Sequence, residues 1–291
     1  MLETIISALV NGLSRGGVYA MIALGYTMVY GIAKMLNFAH GDLIMVGAYA
    51  ILVFLSTGSP LLAVVLSVVF CVLLGVAIEK VAYKPLRGAS PLAVLITAIG
   101  MSYFLQSLAQ IIFGSASKHV NLPNLGTATL FGVKLEMSSL LTLAFTVAVM
   151  VGLTLFIKRT RTGRAMVAVS EDRGAAQLMG INVNLIITIT FAIGSALAAL
   201  AGYCYLLRTP VTSSTLGAMP GIKAFTAAVI GGIGSIPGAM LGGILLGMVE
   251  VIASMIPVLA PFTDAIEFSI LIVILLVRPT GFLGKKRREK V

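Results

Sequence analysis

Apolar runs of about 20 residues, the length with which an α-helix crosses a bilayer, follow one another along almost the whole of this 291-residue chain. They are Leu61 to Ala82, Pro91 to Phe113, Ser139 to Ile157, Asn184 to Leu207, Ala239 to Met255 and Asp264 to Val277. Two more places read as short or broken helices: an N-terminal pair interrupted around Asn37 to Asp42, and Phe225 to Ile233. Composition agrees, with 59% hydrophobic and only 10% charged residues, far below the roughly 25% charged usage of soluble domains. The expected fold class is all-α, a polytopic transmembrane helical bundle forming one domain over residues 1–291. It has about nine spans if the short segment crosses, and about eight if the breaks are re-entrant. The opening MLETIISALVNGLSRGG has no basic leader, and reads as the start of the first span.

The formal charge of +10 comes from twenty Lys and Arg, and most of them fall in clusters between the spans. Those clusters are Lys34, Lys80 to Arg87, residues 158–173 and Arg278 to Lys290. Alternation of this kind follows the positive-inside bias, so the charge reports topology, and nucleic acid is not an expected partner. The basic tail places the C-terminus in the cytoplasm. Cys71 and Cys204 both lie inside apolar spans and read as packing residues.

One long polar island, Lys158 to Asn184, interrupts the apolar pattern. Lys158, Arg159, Arg161, Arg164 and Arg173 outweigh Glu171 and Asp172, which puts the island on the cytoplasmic side. Within it, Glu171 to Met179 suits a short helix, with Ser170 as N-cap, acids in the first turn and Gly180 just past the end. That is the shape of a docking element. By parity, the polar segments Gly114 to Glu136 and Arg208 to Lys223 face the outside as loops, where they could form a lip over an entrance.

Glycines at 231, 232, 234, 238, 242 and 243, followed by Gly247, surround Pro237. Small residues four apart let helices approach backbone to backbone in lipid. A break containing Gly234, Pro237 and Gly238 also fits a permeation pathway, since free backbone groups at membrane depth are tolerated only beside protein or water. Both readings stand. The stretch is not a nucleotide motif, because its spacing is GxGxxxG without a βαβ context. Asn37-Phe38-Ala39-His40-Gly41-Asp42 is the second break. It is either an interfacial turn in which Asn37 caps the next helix, or a place where His40 and Asp42 face a cavity. No second ligand accompanies His40 at helical spacing, so no metal is expected. Glu250, deep in an apolar span, either lines the path or pairs with a basic group; Arg15 has the same two readings, with an outer-interface snorkel as a third. Glu267 lies near the outer end of the last span and Glu79 beside Lys80 at a cytoplasmic end.

GxxxxGK[ST], HExxH and GxSxG motifs are missing, so this chain is not expected to bind ATP or to catalyse hydrolysis. A TVGYG-like filter is missing too. The remaining residues resemble the permease subunits of bacterial ATP-binding-cassette importers for branched-chain amino acids. Four stretches carry the likeness: Gly16-Gly17-Val18-Tyr19-Ala20 with Ala23-Leu24-Gly25, then Asn37 to Gly41, then Ala175 to Asn182, and Gly231 to Gly243. The resemblance implies that Glu171, Asp172, Ala175, Ala176, Leu178, Met179 and Gly180 couple to an ATPase subunit. Gly174 stands where the family pattern often has alanine or an acid, so the docking helix is expected to be short or to start later. Implied partners are two ATPases that bind the ATP, a second permease and a periplasmic substrate-binding protein, in a bacterial inner membrane. The implied mechanism is alternating access. A permease for urea or short amides is an alternative within the family, and a secondary transporter or channel using His40, Asp42 and Glu250 is an alternative outside it.

Overall fold

The computed structural model describes residues 2–123, 125–130 and 133–284; the basic stretch 285–290 and Asn124 lie outside them. Eleven α-helices are found among the described residues. They are α1 (Leu2–Ala33), α2 (His40–Phe54), α3 (Pro60–Ile78), α4 (Pro91–Phe113), α5 (Met137–Arg159), α6 (Arg161–Glu171), α7 (Arg173–Leu178), α8 (Val183–Arg208), α9 (Ala218–Gly231), α10 (Ile236–Met255) and α11 (Thr263–Val277). Eight segments are long and apolar enough to cross a membrane, and the molecule is a multi-pass helical bundle.

The starts of several helices are set by short polar residues. The Ser59, Ser90 and Ser235 hydroxyls accept from backbone amides three residues on, and each precedes a proline in the first turn. Proline there has no amide to leave unpaired and a φ already suited to the helix. Pro237 therefore lies in the first turn of α10. The break lies before it, at 232–235, where Gly232 and Gly234 take φ of 106° and 93°.

α1 and α8 touch at the centre of the bundle. α1 packs on α9 and α10, while α8 packs on α2 and α3. On the periphery, α2 meets α3 and α4, and α9 meets α10 and α11. Exchanging α1 with α8, α2 with α9, α3 with α10 and α4 with α11 maps one set of contacts onto the other. The C-terminal end of α1 lies beside the chain that leads into α8, so the central helices are antiparallel and the two units are inverted relative to each other. Sequence spacing does not reveal this repeat.

Each unit has one helix about half as long as its central helix, α2 with 15 residues against the 32 of α1 and α9 with 14 against the 26 of α8. The His40 ring, in the first turn of α2, sits in a slot left by Gly25 of α1. Gly25 is eight residues before the end of α1, so α2 begins about 12 Å inside the bundle at 1.5 Å per residue. The start of α9 is level with it, because a side chain at Gly217 or Gly221 would collide with the backbone of Gly41. Non-helical segments bring the chain to these interior starts, residues 34–39 from one end and residues 209–217 from the other.

Lipid offers no hydrophobic drive for helices to associate, so close backbone approach holds the centre together. Any side chain at Gly247 would strike the backbone of Gly16, and one at Gly243 would strike Ala20; Gly47 and Ala199 pair α2 with α8 in the same way. α5 buries a polar stripe, Ser139, Thr142 and Thr146, against α1, and the Ser139 hydroxyl donates to Asn11 Oδ1 at 2.7 Å. Cys71 and Cys204 are buried and unpaired with each other.

At the end of the bundle away from α6 and α7, the two polar segments meet. β1 (Lys118–His119) pairs antiparallel with β4 (Val211–Thr212), and β2 (Thr127–Leu130) forms a hairpin with β3 (Val133–Glu136). The second segment is not a loop throughout. From Ala218 it is α9, and Lys223 is buried in the bundle.

Candidate coupling surface and translocation elements

The polar island folds as two helices. The Thr160 hydroxyl accepts from Gly163 N and starts α6, whose buried face is Gly163, Met166 and Val169. Arg161, Arg164 and Val167 point outward. The second helix does not start at Glu171. Ser170 turns its hydroxyl back to the Val167 carbonyl, and Asp172, extended at φ −151° and ψ 113°, caps α7 by accepting from Ala175 N at 3.0 Å. α7 thus starts at Arg173, with Gly174 in its first turn. Gly180 ends the turn at φ 80°, a conformation that glycine adopts without a Cβ penalty.

Glu171, Asp172, Ala175, Leu178, Met179 and Gly180 are all exposed, with Leu178 at 91% and Met179 at 82%. Two such apolar side chains at the tip of a six-residue helix make a small protruding knob. Ala176 is different, at 3% exposed, and packs inward. Arg173 reaches inward as well, and its Nη2 donates to the Ile32 carbonyl at the end of α1 at 2.9 Å. Burial, and then the nearby Arg87 guanidinium, pull its pKa down from the usual arginine value.

The first break has its own partners. Asn37 does not cap α2; residue 39 is the N-cap position and makes no side-chain bond there. The Asn37 side chain accepts from the Tyr83 hydroxyl at 2.7 Å, and its carbonyl accepts from His40 N at 3.1 Å. Tyr83 closes a π-helical turn, Glu79–Tyr83, that follows α3. Glu79 is fully buried and pairs with Arg87 and with the Thr188 hydroxyl, not with its neighbour Lys80. Asp42 lies in the first turn of α2 and accepts from Gln106 Nε2 at 2.9 Å. The His40 ring stands edge-on to Tyr26 with centroids 4.8 Å apart, and its Nε2 has no hydrogen-bond partner.

Glu250 belongs to a buried ion cluster. Its carboxylate takes Lys223 Nζ at 3.0 Å, Arg15 at 3.2 Å and the Tyr19 hydroxyl at 2.8 Å. The same Lys223 reaches Asp264 at 2.8 Å and Glu267 at 3.3 Å. Four helices, α1, α9, α10 and α11, are joined by these charges, and Glu267 is the residue that α11 buries. The pairing reading of Glu250 and Arg15 is the one the geometry realises. His40, Asp42 and Glu250 each have different partners and form no continuous ion route.

Gly238 and Gly242 face α9 across the second break, where added side chains would collide with the backbone at Gly231 and Ala227. Gly234 is opposite Gly31 of α1, with space between them. Beside it a narrow crevice is lined by Tyr26, Tyr30, Leu36, Asn37, Phe225 and Ile233, among others. The sequence did not single out Lys223, Asp264 or Tyr83. Lys223 sat in a polar stretch, and its acids come from later helices.

A family model described as "Branched-chain amino acid transport system / permease component" matches residues 8–275. Among similar proteins, the high-affinity branched-chain amino acid transport system permease protein BraD of Pseudomonas aeruginosa is 46% identical, with 97% of each chain covered. The LivH protein of Escherichia coli strain K12, described in the same words, is 43% identical over 97% of this chain and 96% of its own. A probable branched-chain amino acid transport permease protein LivH from Methanocaldococcus jannaschii is 30% identical over 91% of this chain and 88% of its own. A match of this extent identifies the chain as a member of the branched-chain amino acid transport permease family.

Proposed function

We propose that this chain is a permease subunit of an ATP-binding-cassette importer, and that it forms part of the translocation path for branched-chain amino acids. The near full-length similarity to BraD carries the reading. The basic end of the bundle, with Lys80, Lys84, Lys158, Arg159, Arg161 and Arg164, then faces the cytoplasm, and the C-terminus with it. In this setting Leu178 and Met179 insert into an ATPase subunit, and two such subunits bind the ATP. A second permease completes the membrane portion, and a periplasmic binding protein delivers solute to the end formed by β1, β4 and the β2–β3 hairpin. The membrane is the inner membrane of a bacterial cell.

Two half-length helices that start inside the bundle suit alternating access. Their first turns meet at Gly41, Gly217 and Gly221 with no side chain to lock them. A shift of either helix changes what the adjoining non-helical segment covers, without unfolding a full span. Selectivity can reside in the binding protein, so the path needs few polar side chains.

Proteoliposomes carrying the co-expressed permeases and ATPases, with the binding protein and L-leucine outside and ATP inside, test the reading. ATP-dependent uptake that requires the binding protein is expected. Uptake by this chain alone, driven by a proton gradient, would overturn it.

A further inference from the structure

We infer that Arg173 is the residue through which movement of α7 reaches the start of half-helix α2; the inference rests on the assignment of α7 as the ATPase-docking helix. Arg173 is the first residue of α7 but does not belong to its exposed face. Its guanidinium is partly buried, its Nε is enclosed without a partner, and its Nη2 holds the Ile32 carbonyl. A cation at that position also meets the negative end of the long α1 dipole. Two residues later Lys34 turns the chain at φ 53°, which few residues other than glycine adopt, and the non-helical segment 34–39 begins.

The other side of that segment is held too. Tyr83 binds the Asn37 side chain, and Asn37 O receives the first amide of α2. Tyr83 belongs to the π-turn whose Glu79 pairs with Arg87 and Thr188, and Arg87 also donates to Asn184. Asn184 and Thr188 lie in the first turns of α8, which follows α7 directly. The contacts therefore close a ring: α7, Arg173, the end of α1, segment 34–39, Tyr83, Glu79 with Arg87, α8, and back to α7. Displacement of α7 cannot leave segment 34–39 unmoved unless the ring opens. A π-turn, often found at functional sites, lies within the ring.

The ring has one link on each side of the segment that can be cut singly, Arg173 and the Tyr83 hydroxyl. In the assembled complex, Arg173→Gln and Tyr83→Phe are compared with the unaltered protein for ATPase co-purification, ATP hydrolysis and L-leucine uptake. Both variants should keep their ATPase. Uptake per ATP should fall about tenfold for Arg173→Gln, the loss of a charge-assisted hydrogen bond from the coupling, with partial recovery in Arg173→Lys, and about threefold for Tyr83→Phe. Unaltered uptake per ATP in either variant would overturn the inference. So would loss of the ATPase in Arg173→Gln, which would make Arg173 part of the docking surface and leave the assignment of α7 intact. If the unaltered protein itself binds no ATPase, the proposed function fails first. Should Arg173→Gln not accumulate in the membrane, Tyr83→Phe decides by the same threshold.

Discussion

Lys223→Met is the most incisive single test of how the bundle is held. In the folded chain Lys223 Nζ is shared by Glu250, Asp264 and Glu267, at 3.0, 2.8 and 3.3 Å. Arg15 also binds Glu250 but touches neither α11 acid. Methionine fills much the same volume, so the substitution removes charge while changing packing little. Two of the three acids are buried, Glu250 at 9% and Glu267 at 0% exposed, whereas the Asp264 side chain is 53% exposed and can turn to water. Removing one partner of a buried ion pair costs about 3–5 kcal/mol, because the remaining charge loses its compensation. For a chain of this size, at about 2 °C per kcal/mol, the melting temperature should fall by about 6–10 °C. The assay is the midpoint of heat-induced loss of the monodisperse peak in detergent. Adding Glu267→Gln to Lys223→Met removes the stranded charge and should restore about half of the loss, a coupling that independent sites would not show. If Lys223→Met melts within about 2 °C of the unaltered protein, the cluster does not seat α11.

Three further outcomes follow from other parts of the molecule. Ala175→Glu with Leu178→Glu, both on the exposed face of α7, should abolish ATPase co-purification and leave membrane insertion unchanged; retained association would remove α7 from the docking surface. Gly247→Val should prevent accumulation of folded protein, since the new Cβ meets the Gly16 backbone and overpacking of this kind costs about 1–3 kcal/mol or more; normal yield and uptake would contradict the seam between α1 and α10. A chain ending at Thr280 loses the amides of Phe282 and Leu283, which satisfy the Ile230 and Gly231 carbonyls at the end of α9, each at 2.9 Å. At about 1–3 kcal/mol for each stranded carbonyl, it should melt measurably lower and be cut by protease near residues 232–235.

Much of the fold was legible because lipid makes length and apolarity sufficient: α4 begins at Pro91 and ends at Phe113 as the pattern predicts, α5 and α8 differ by one or two residues at each end, and α11 starts one residue earlier and ends at Val277 as expected. Where two local solutions competed, composition did not decide. Ser170 and Asp172 both suit an N-cap, and the choice fell to Asp172 because Ser170 continues α6 and satisfies its hydroxyl on the preceding turn. Ala175 and Ala176 read alike as a pair, yet helix periodicity turns one outward and the other into the bundle. Lys223 was misread for a different reason. Its surroundings in sequence are Ser, Thr, Pro and Gly, and what makes its burial affordable is acids on two later helices.

The inverted relation between the two units was not visible either, and the reason bears on how the path is built. Equivalent helices share a shape, a long central helix followed by a break and a half-helix, but not a residue pattern. Where α2 holds its peripheral helix through Asp42 and Gln106, α9 holds α11 through Lys223 and Glu267. One clasp joins Asp42 to the neutral Gln106 amide and Ser102 hydroxyl, with Tyr49 stacked on Phe113 beside it; the other is an ion cluster reaching a third and a fourth helix. The contacts are alike in place and unlike in chemistry, one between a carboxylate and neutral groups and the other between full charges, so the two half-helices are held in different ways. Segment 34–39, with α7 attached at its base through Arg173 and no ion pair in the clasp on its half-helix, is the side on which movement should begin.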